Sequence, residues 1–193
     1  WMPTHFCQNK EPTVGNSYTA TAKSLHWLMT VLIFGLLALG FYMHDLPLSP
    51  DKLKLYSWHK WAGVTAFALL LVRLAWRATH QPPALPDSMP KLMQLAAHGG
   101  HFALYLLMIA IPISGWLMSS AKGFQTVYFG VLPIPDLLDK NKELGDLLAL
   151  VHKSLNLFFV AVLAGHIGAA LKHHFIDRDD ILTRMLPRHS TEN

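Results

Sequence analysis

Charge is scarce in this chain, at 15% of its 193 residues, and cysteine is all but missing. The lone Cys7 has no partner for an internal disulfide, so nothing in the sequence asks for an oxidising compartment. No Asp or Glu falls inside any of the long apolar runs, which removes the carboxylates that intramembrane acid–base chemistry would draw on. GxSxG is absent, no Ser-His-Asp set can be argued within the runs, and "AHGGH" (97–101) is not a phosphate loop, so nucleophilic catalysis is poorly supported. A basic stripe with interleaved aromatics is also missing, so the formal net charge of +4 calls for no nucleic-acid partner. Internal repeats and low-complexity tracts are not found.

What the chain has in quantity is apolar side chains, 52% of the total, gathered near residues 25–43, 61–76, 95–118 and 148–171. Each run approaches the roughly 20 residues that a spanning helix needs. The spacing predicts helices over about 24–43, 57–78, 95–119 and 148–172, and hence an all-α, integral membrane four-helix bundle. "LPLSP" (46–50), "HQPPALPDSMP" (80–90) and "FGVLPIPD" (129–136) separate or interrupt the runs. The domain reading is a polar leader over 1–17, the bundle over 18–176 and a charged cytoplasmic tail over 177–193. No small-residue cleavage site follows the first run, so a removable signal peptide is not expected. In the tail, Ile181, Leu182, Met185 and Leu186 recur at helical spacing, so it either lies along the membrane surface or is simply solvated.

With the N-terminus inside, the inner segments hold Lys10, Lys23, Arg73, Arg77, Lys91, Lys172, Arg178, Arg184 and Arg188. Outside fall Lys52, Lys54, Lys60, Lys122, Lys140, Lys142 and Lys153. All five arginines lie on one side, which favours both termini in the cytoplasm.

Twelve histidines stand out against this background. His26, His59, His98, His101, His152 and His166 lie in or beside the apolar runs, where an ionisable side chain is a functional-site hypothesis by default. For any single one, a neutral imidazole bonded to a neighbouring helix is an equal reading. Depth makes the set more specific. His152 and His166 are fourteen residues apart, so they share a face to within about 40° at levels about 21 Å apart. In alternating helices His59 is level with His152, and His26 with His166. Two such pairs, stacked, are what two bis-histidine hemes require.

Gly40, fourteen residues after His26, and Gly115, fourteen after His101, leave their helices bare at the level of the outer pair. They admit either a macrocycle or close helix packing. Arg73, fourteen after His59, reaches the inner level, where it would meet a heme propionate or another acidic partner, or snorkel. A bare zinc site is disfavoured, because zinc usually takes four ligands and the runs offer neither carboxylates nor thiols.

The pieces "SLHWLM", "WHKWAGV", "RLAWRATHQPP", "AAHGGHFALYLLMIAIPISGWLMSSAKG", "VHKSL" and "AGHIGAALKHHFIDRDDILTRMLP", in this order over roughly residues 18–188, resemble the bacterial four-helix di-heme cytochrome b561 family. Its best-characterised type is a superoxide oxidase. The resemblance implies a bundle with two stacked heme b groups, metal ligands His26 with His166 and His59 with His152, and exchange of electrons with the quinone pool. It also implies superoxide as outer-face donor, ubiquinone as acceptor, and a multi-pass protein of the bacterial inner membrane.

On this reading Lys60 and Lys153, each directly after an outer ligand, draw the superoxide anion in, with Lys52, Lys54 and Lys122 adding to the field. Snorkelling or pairing with propionates is an equal reading, and Asp45, Asp51, Asp136, Asp139, Glu143 and Asp146 nearly cancel these lysines. His101 and His98 are the rivals of His26, or line a quinone pocket with His173, His174 and Arg73. His5, His80 and His189 are expected to be solvated. No obligatory protein partner is evident. The alternative is a cytochrome b subunit passing electrons from a dehydrogenase or hydrogenase to quinone. A histidine-lined metal transporter is the reading from another class.

Overall fold

The computed structural model describes residues 17–86 and 89–186; His5, Cys7, Lys10, Arg188 and His189 lie outside them. Four long helices dominate: α1 (Ala20–His44), α2 (Pro50–Thr79), α3 (Lys91–Ala121) and α4 (Lys142–Lys172). Each contains a stretch long and apolar enough to cross a membrane. With 25 to 31 residues they run about 38–47 Å at 1.5 Å per residue, beyond a hydrocarbon core of about 30 Å, so their ends project past it.

Local chemistry sets the ends. Thr19 Oγ1 accepts the Ala22 amide at 3.3 Å and starts α1. Ser49 Oγ accepts the Lys52 amide at 3.2 Å, and Pro50 occupies the first turn of α2, where its missing N–H removes no helical bond. Asn141 Oδ1 accepts the Leu144 amide at 3.0 Å and opens α4. These caps carry α2 and α4 several residues beyond the apolar runs, into segments whose polarity hid their helicity.

Packing is closest within two helical pairs, α1 with α2 and α3 with α4, while α2 and α3 meet much less. A slot separates the pairs. Midway along it, Leu104, Leu107 and Phe159 form a buried cluster that Ile33 and Leu37 of α1 also reach.

Two features lie beyond the helices. Between α3 and α4 a hairpin, β1 (Thr126–Tyr128) and β2 (Leu132–Ile134), pairs antiparallel with Thr126 opposite Ile134 and Tyr128 opposite Leu132. Its tip turns on left-handed backbone at Phe129 (φ 51°) and Gly130 (φ 72°). After α4 a single π-helical turn, His173–Asp177, ends at Arg178, itself left-handed.

Residues 178–186, expected either to lie along the membrane surface or to be simply solvated, make specific contacts with the helices. They fold back onto the bundle. Arg184 donates to the Ala84 carbonyl at 2.7 Å, Lys23 Nζ to Leu186 at 2.9 Å, and Trp27 Nε1 to Met185 at 3.0 Å. Two side-chain donors facing carbonyls of this irregular segment, and one donated from it to Ala84, outweigh its weak amphipathic pattern.

Candidate cofactor site

At the hairpin end of the slot, a cavity of about 330 Å³ opens between the helical pairs. His59 of α2 and His152 of α4 line it from opposite pairs, amid almost wholly apolar neighbours such as Met29, Leu37, Phe67, Met108 and Phe159. The two imidazoles differ in their support. His152 Nδ1 lies 2.9 Å from Ser114 Oγ and 3.1 Å from the Ile111 carbonyl, and the Ser114 hydroxyl donates to that same carbonyl at 2.7 Å. The Nδ1 proton therefore goes to α3, which leaves Nε2 with its lone pair free to meet a metal, the orientation that outer hydrogen bonds impose on metal-binding histidines. His59 Nδ1, by contrast, is buried with no hydrogen-bond partner among the described residues.

The glycines explain how imidazoles fit this closely. A Cβ on Gly40 would stand 3.3 Å from His59 Cε1, and one on Gly115 would stand 3.1 Å from His152 Cε1. Each glycine makes room for the histidine of its own helical pair, so the bareness at this level seats the imidazole ring itself.

At the other end, where α1 begins and α4 ends (the termini end), His26 of α1 and His166 of α4 have ring centroids 6.4 Å apart at 84°. That is about the separation of two imidazoles bonded to one metal between them with metal–nitrogen bonds of about 2.0–2.1 Å. His101 of α3 is closer still to His166, at 5.3 Å, so three imidazoles gather here. Arg73 Nε donates to the Tyr105 hydroxyl at 3.1 Å, joining α2 to α3, and Arg77 lies 5.7 Å from the Tyr105 ring. One bond leaves four of the Arg73 donors for other acceptors. Tyr18, whose hydroxyl burial raises above the ordinary phenol range, completes this polar wall.

These features fit an iron porphyrin: at both levels opposite walls supply imidazoles, and at the hairpin end the cavity is apolar, one buried ring nitrogen lacks a partner among the described residues, and glycine seats the rings. The donor set is nitrogen alone, which favours a metal that arrives in its own macrocycle.

Other candidates fare differently. His98 is exposed and bonds its own helix at the Gln94 carbonyl, 2.6 Å. His173 is tied to Asp179 at 2.6 Å and Asp177 at 3.1 Å, with Lys172 on Asp177. His174 packs against Phe175. None of the three joins Arg73. His80 is exposed and stacks on Trp76 at 3.8 Å. Lys60 donates to the Phe124 carbonyl at 2.8 Å, Lys52 to the His44 and Leu46 carbonyls, and Lys122 pairs with Asp146. Lys54 lies 5.1 Å from the Trp58 ring, while Lys153 is exposed within electrostatic reach of Asp45.

Sequence reasoning missed Ser114, Tyr105 and Tyr18. "PISG" (112–115) carried a signal for the first: a proline inside the helix, then a serine beside the glycine that faces His152.

The profile of the family described as prokaryotic cytochrome b561 matches residues 17–188. Cytochrome b561 homolog 2 of Escherichia coli (strain K12) is 36% identical over 176 residues, 91% of this chain and 94% of the relative. Probable superoxide oxidase CybB of Yersinia pestis is 33% identical over 131 residues, 67% and 73% of the two chains. Cytochrome b561 homolog 1 of the same E. coli strain is 28% identical over 179 residues, 90% and 98% of the two.

Proposed function

Because this chain belongs to the prokaryotic cytochrome b561 family, and so is a heme-binding membrane electron carrier, we propose that it is a di-heme superoxide:quinone oxidoreductase of the bacterial inner membrane. In the overall reaction two superoxide anions each give up one electron and leave as dioxygen, while one ubiquinone takes up two electrons and two protons to become ubiquinol. The observation that carries this reading is the placement of two histidine pairs, one at each end of a single slot, each pair drawn from opposite helical pairs. Each heme b, when bound, supplies a one-electron iron couple.

His59 with His152, and His26 with His166, are the proposed ligands. Although His101 is nearer to His166, it shares a helical pair with it, whereas His26 faces His166 from the other pair, so a heme held between the pairs would draw one imidazole from each. His101 would stand beside the group, and Arg73 would supply a cation for a propionate. With one imidazole from each helical pair engaged, a bound heme would supply one-electron transfer and offer superoxide no site on the metal.

Both termini are assigned to the cytoplasm. Arg73, Arg77, Arg178 and Arg184 belong to the termini end of the helices, as the positive-inside rule requires. The hairpin end then faces outward, and Lys153 and Lys60 bring positive charge to the cavity there.

The test has two stages. A pyridine hemochrome assay on the detergent-purified protein is expected to give two hemes b per chain, with a low-spin reduced spectrum. Superoxide from xanthine oxidase is then expected to reduce added ubiquinone in proportion to this protein. One heme per chain would refute the double pairing. Two hemes without superoxide-dependent quinol would refute the reaction and leave the electron carrier standing.

A further inference from the structure

Residues 123–135, "GFQTVYFGVLPIP", carry no charge, lie between Lys122 and Asp136, and contain the whole hairpin. Their large apolar side chains are bare: Val131 is 83% exposed, Phe129 60% and Leu132 60%. A water-facing loop of this composition would be an exposed apolar patch with no evident purpose. Its height along the bundle suggests a different surrounding.

Trp61 Nε1 donates to the Val127 carbonyl at 2.7 Å, and the Phe129 ring lies 5.1 Å from that of Trp61. The Tyr128 hydroxyl reaches Thr65 Oγ1 at 2.9 Å, one helical turn further along α2. Counting from Arg77 at the termini end, a hydrocarbon core of about 30 Å extends about 20 residues, to near Ser57. Trp61 is then about 6 Å inside the core boundary and Thr65 about 12 Å. The strand backbone at Val127 is level with the first of these.

We propose that the β1–β2 hairpin is embedded in the lipid interface of the leaflet at its end of the bundle, with Phe129, Val131 and Leu132 among the upper acyl chains. It covers the outer mouth of the slot between α2 and α3, since Thr126 and Ile134 line the cavity. The occupant of its exposed face is phospholipid, continuous with the lipid around Leu71 and Val72 of α2, which are exposed in a spanning helix.

The backbone suits this position. Unpaired N–H groups are costly in lipid, and Pro133 and Pro135 have none. Val127 accepts from Trp61, Phe124 from Lys60 and Pro135 from Trp116, so three carbonyls at the edge are satisfied by helix side chains. Trp61, Trp116 and Tyr128 are the residue types that mark a membrane boundary.

The test is spin labelling in phosphatidylcholine–phosphatidylglycerol proteoliposomes, on full-length heme-loaded protein with Cys7→Ser and a single new cysteine. Val131→Cys is the probe, with Leu132→Cys as a second site should the first disturb folding, judged by an unchanged heme spectrum. Val72→Cys and Asp139→Cys serve as lipid and water references. The expected result is a collision rate with oxygen at least about threefold above that with an aqueous nickel chelate, relative to Asp139→Cys and close to Val72→Cys. A label that meets the nickel chelate as readily as Asp139→Cys would overturn the proposal. So would a label shielded from both reagents, which would mean that protein, a second copy included, covers the hairpin.

Discussion

His152 holds the most constrained imidazole in the slot, gripped by the Ser114 hydroxyl, which is itself anchored on the Ile111 carbonyl. A hydrogen-bond acceptor at Nδ1 makes the ring a better donor to a metal through Nε2 and stabilises the oxidised iron. Ser114→Ala is therefore expected to raise the midpoint potential of one heme by about 20–60 mV, the one-electron equivalent of a single hydrogen bond of about 0.5–1.5 kcal/mol. The other heme should not move, and heme content should stay unchanged; a redox titration followed in the reduced band reads both. His59→Ala and His152→Ala are each expected to cost about one heme per chain by pyridine hemochrome, whereas His101→Ala should retain two. If His101→Ala instead lost a heme while His26→Ala did not, the ligands at the termini end would be reassigned to α3. Gly115 tests the same seat sterically. An added methyl 3.1 Å from His152 Cε1 should displace the ring, with loss or conversion of the low-spin signal of that heme alone.

Elements whose shape is set by one-dimensional pattern were legible in the sequence, and elements set by tertiary donors were not. The four helices follow from apolar runs, and the histidine levels follow from 1.5 Å per residue. The hairpin is too short and too rich in proline to advertise itself, and it is held by side chains of other elements, Trp61 and Lys60 of α2 and Trp116 of α3. The same holds for residues 178–186, whose fold-back depends on Lys23 and Trp27. Arg184 is the keystone there, bonded to Ala84 and paired with Asp180 at 2.8 Å. Arg184→Ala is expected to lower unfolding stability by about 1–3 kcal/mol, read as a fall in melting temperature in detergent. The Arg184 guanidinium also holds the Asp180 carboxyl below the ordinary carboxylate range. A depressed pKa contributes stability that is complete above the unfolded value near 4 and fades as pH falls through the folded one. Acidification below about pH 4 should therefore loosen this segment in the parent, by hydrogen exchange at residues 178–186, and leave the Arg184→Ala variant with little further to lose.

For the whole molecule, the question is how much its charge distribution can do for an anionic substrate. The sequence shows lysines beside both histidines at one end, and a near-equal number of acids around them. In the folded chain most of the lysines at that end are already engaged. Lys60 is held by Phe124, Lys52 by two carbonyls, and Lys122 and Lys142 share Asp146. Bonds to neutral carbonyls leave the charge in place but fix it, whereas sharing a carboxylate cancels part of it. Nearest the two outer histidines are a fixed charge at Lys60, in the cavity wall, and an exposed one at Lys153, while Lys52 and Lys54 keep their charge further out. So few uncancelled charges give a modest field, at the low end of the 10–10³-fold that steering achieves in strongly charged clefts. Replacing Lys60 and Lys153 by Gln is expected to slow superoxide-driven quinone reduction by about threefold to tenfold at low ionic strength. The two proteins should converge as salt rises toward 1 M, where the Debye length falls to about 3 Å. A double variant as fast as the parent at low salt would mean that neither lysine steers superoxide.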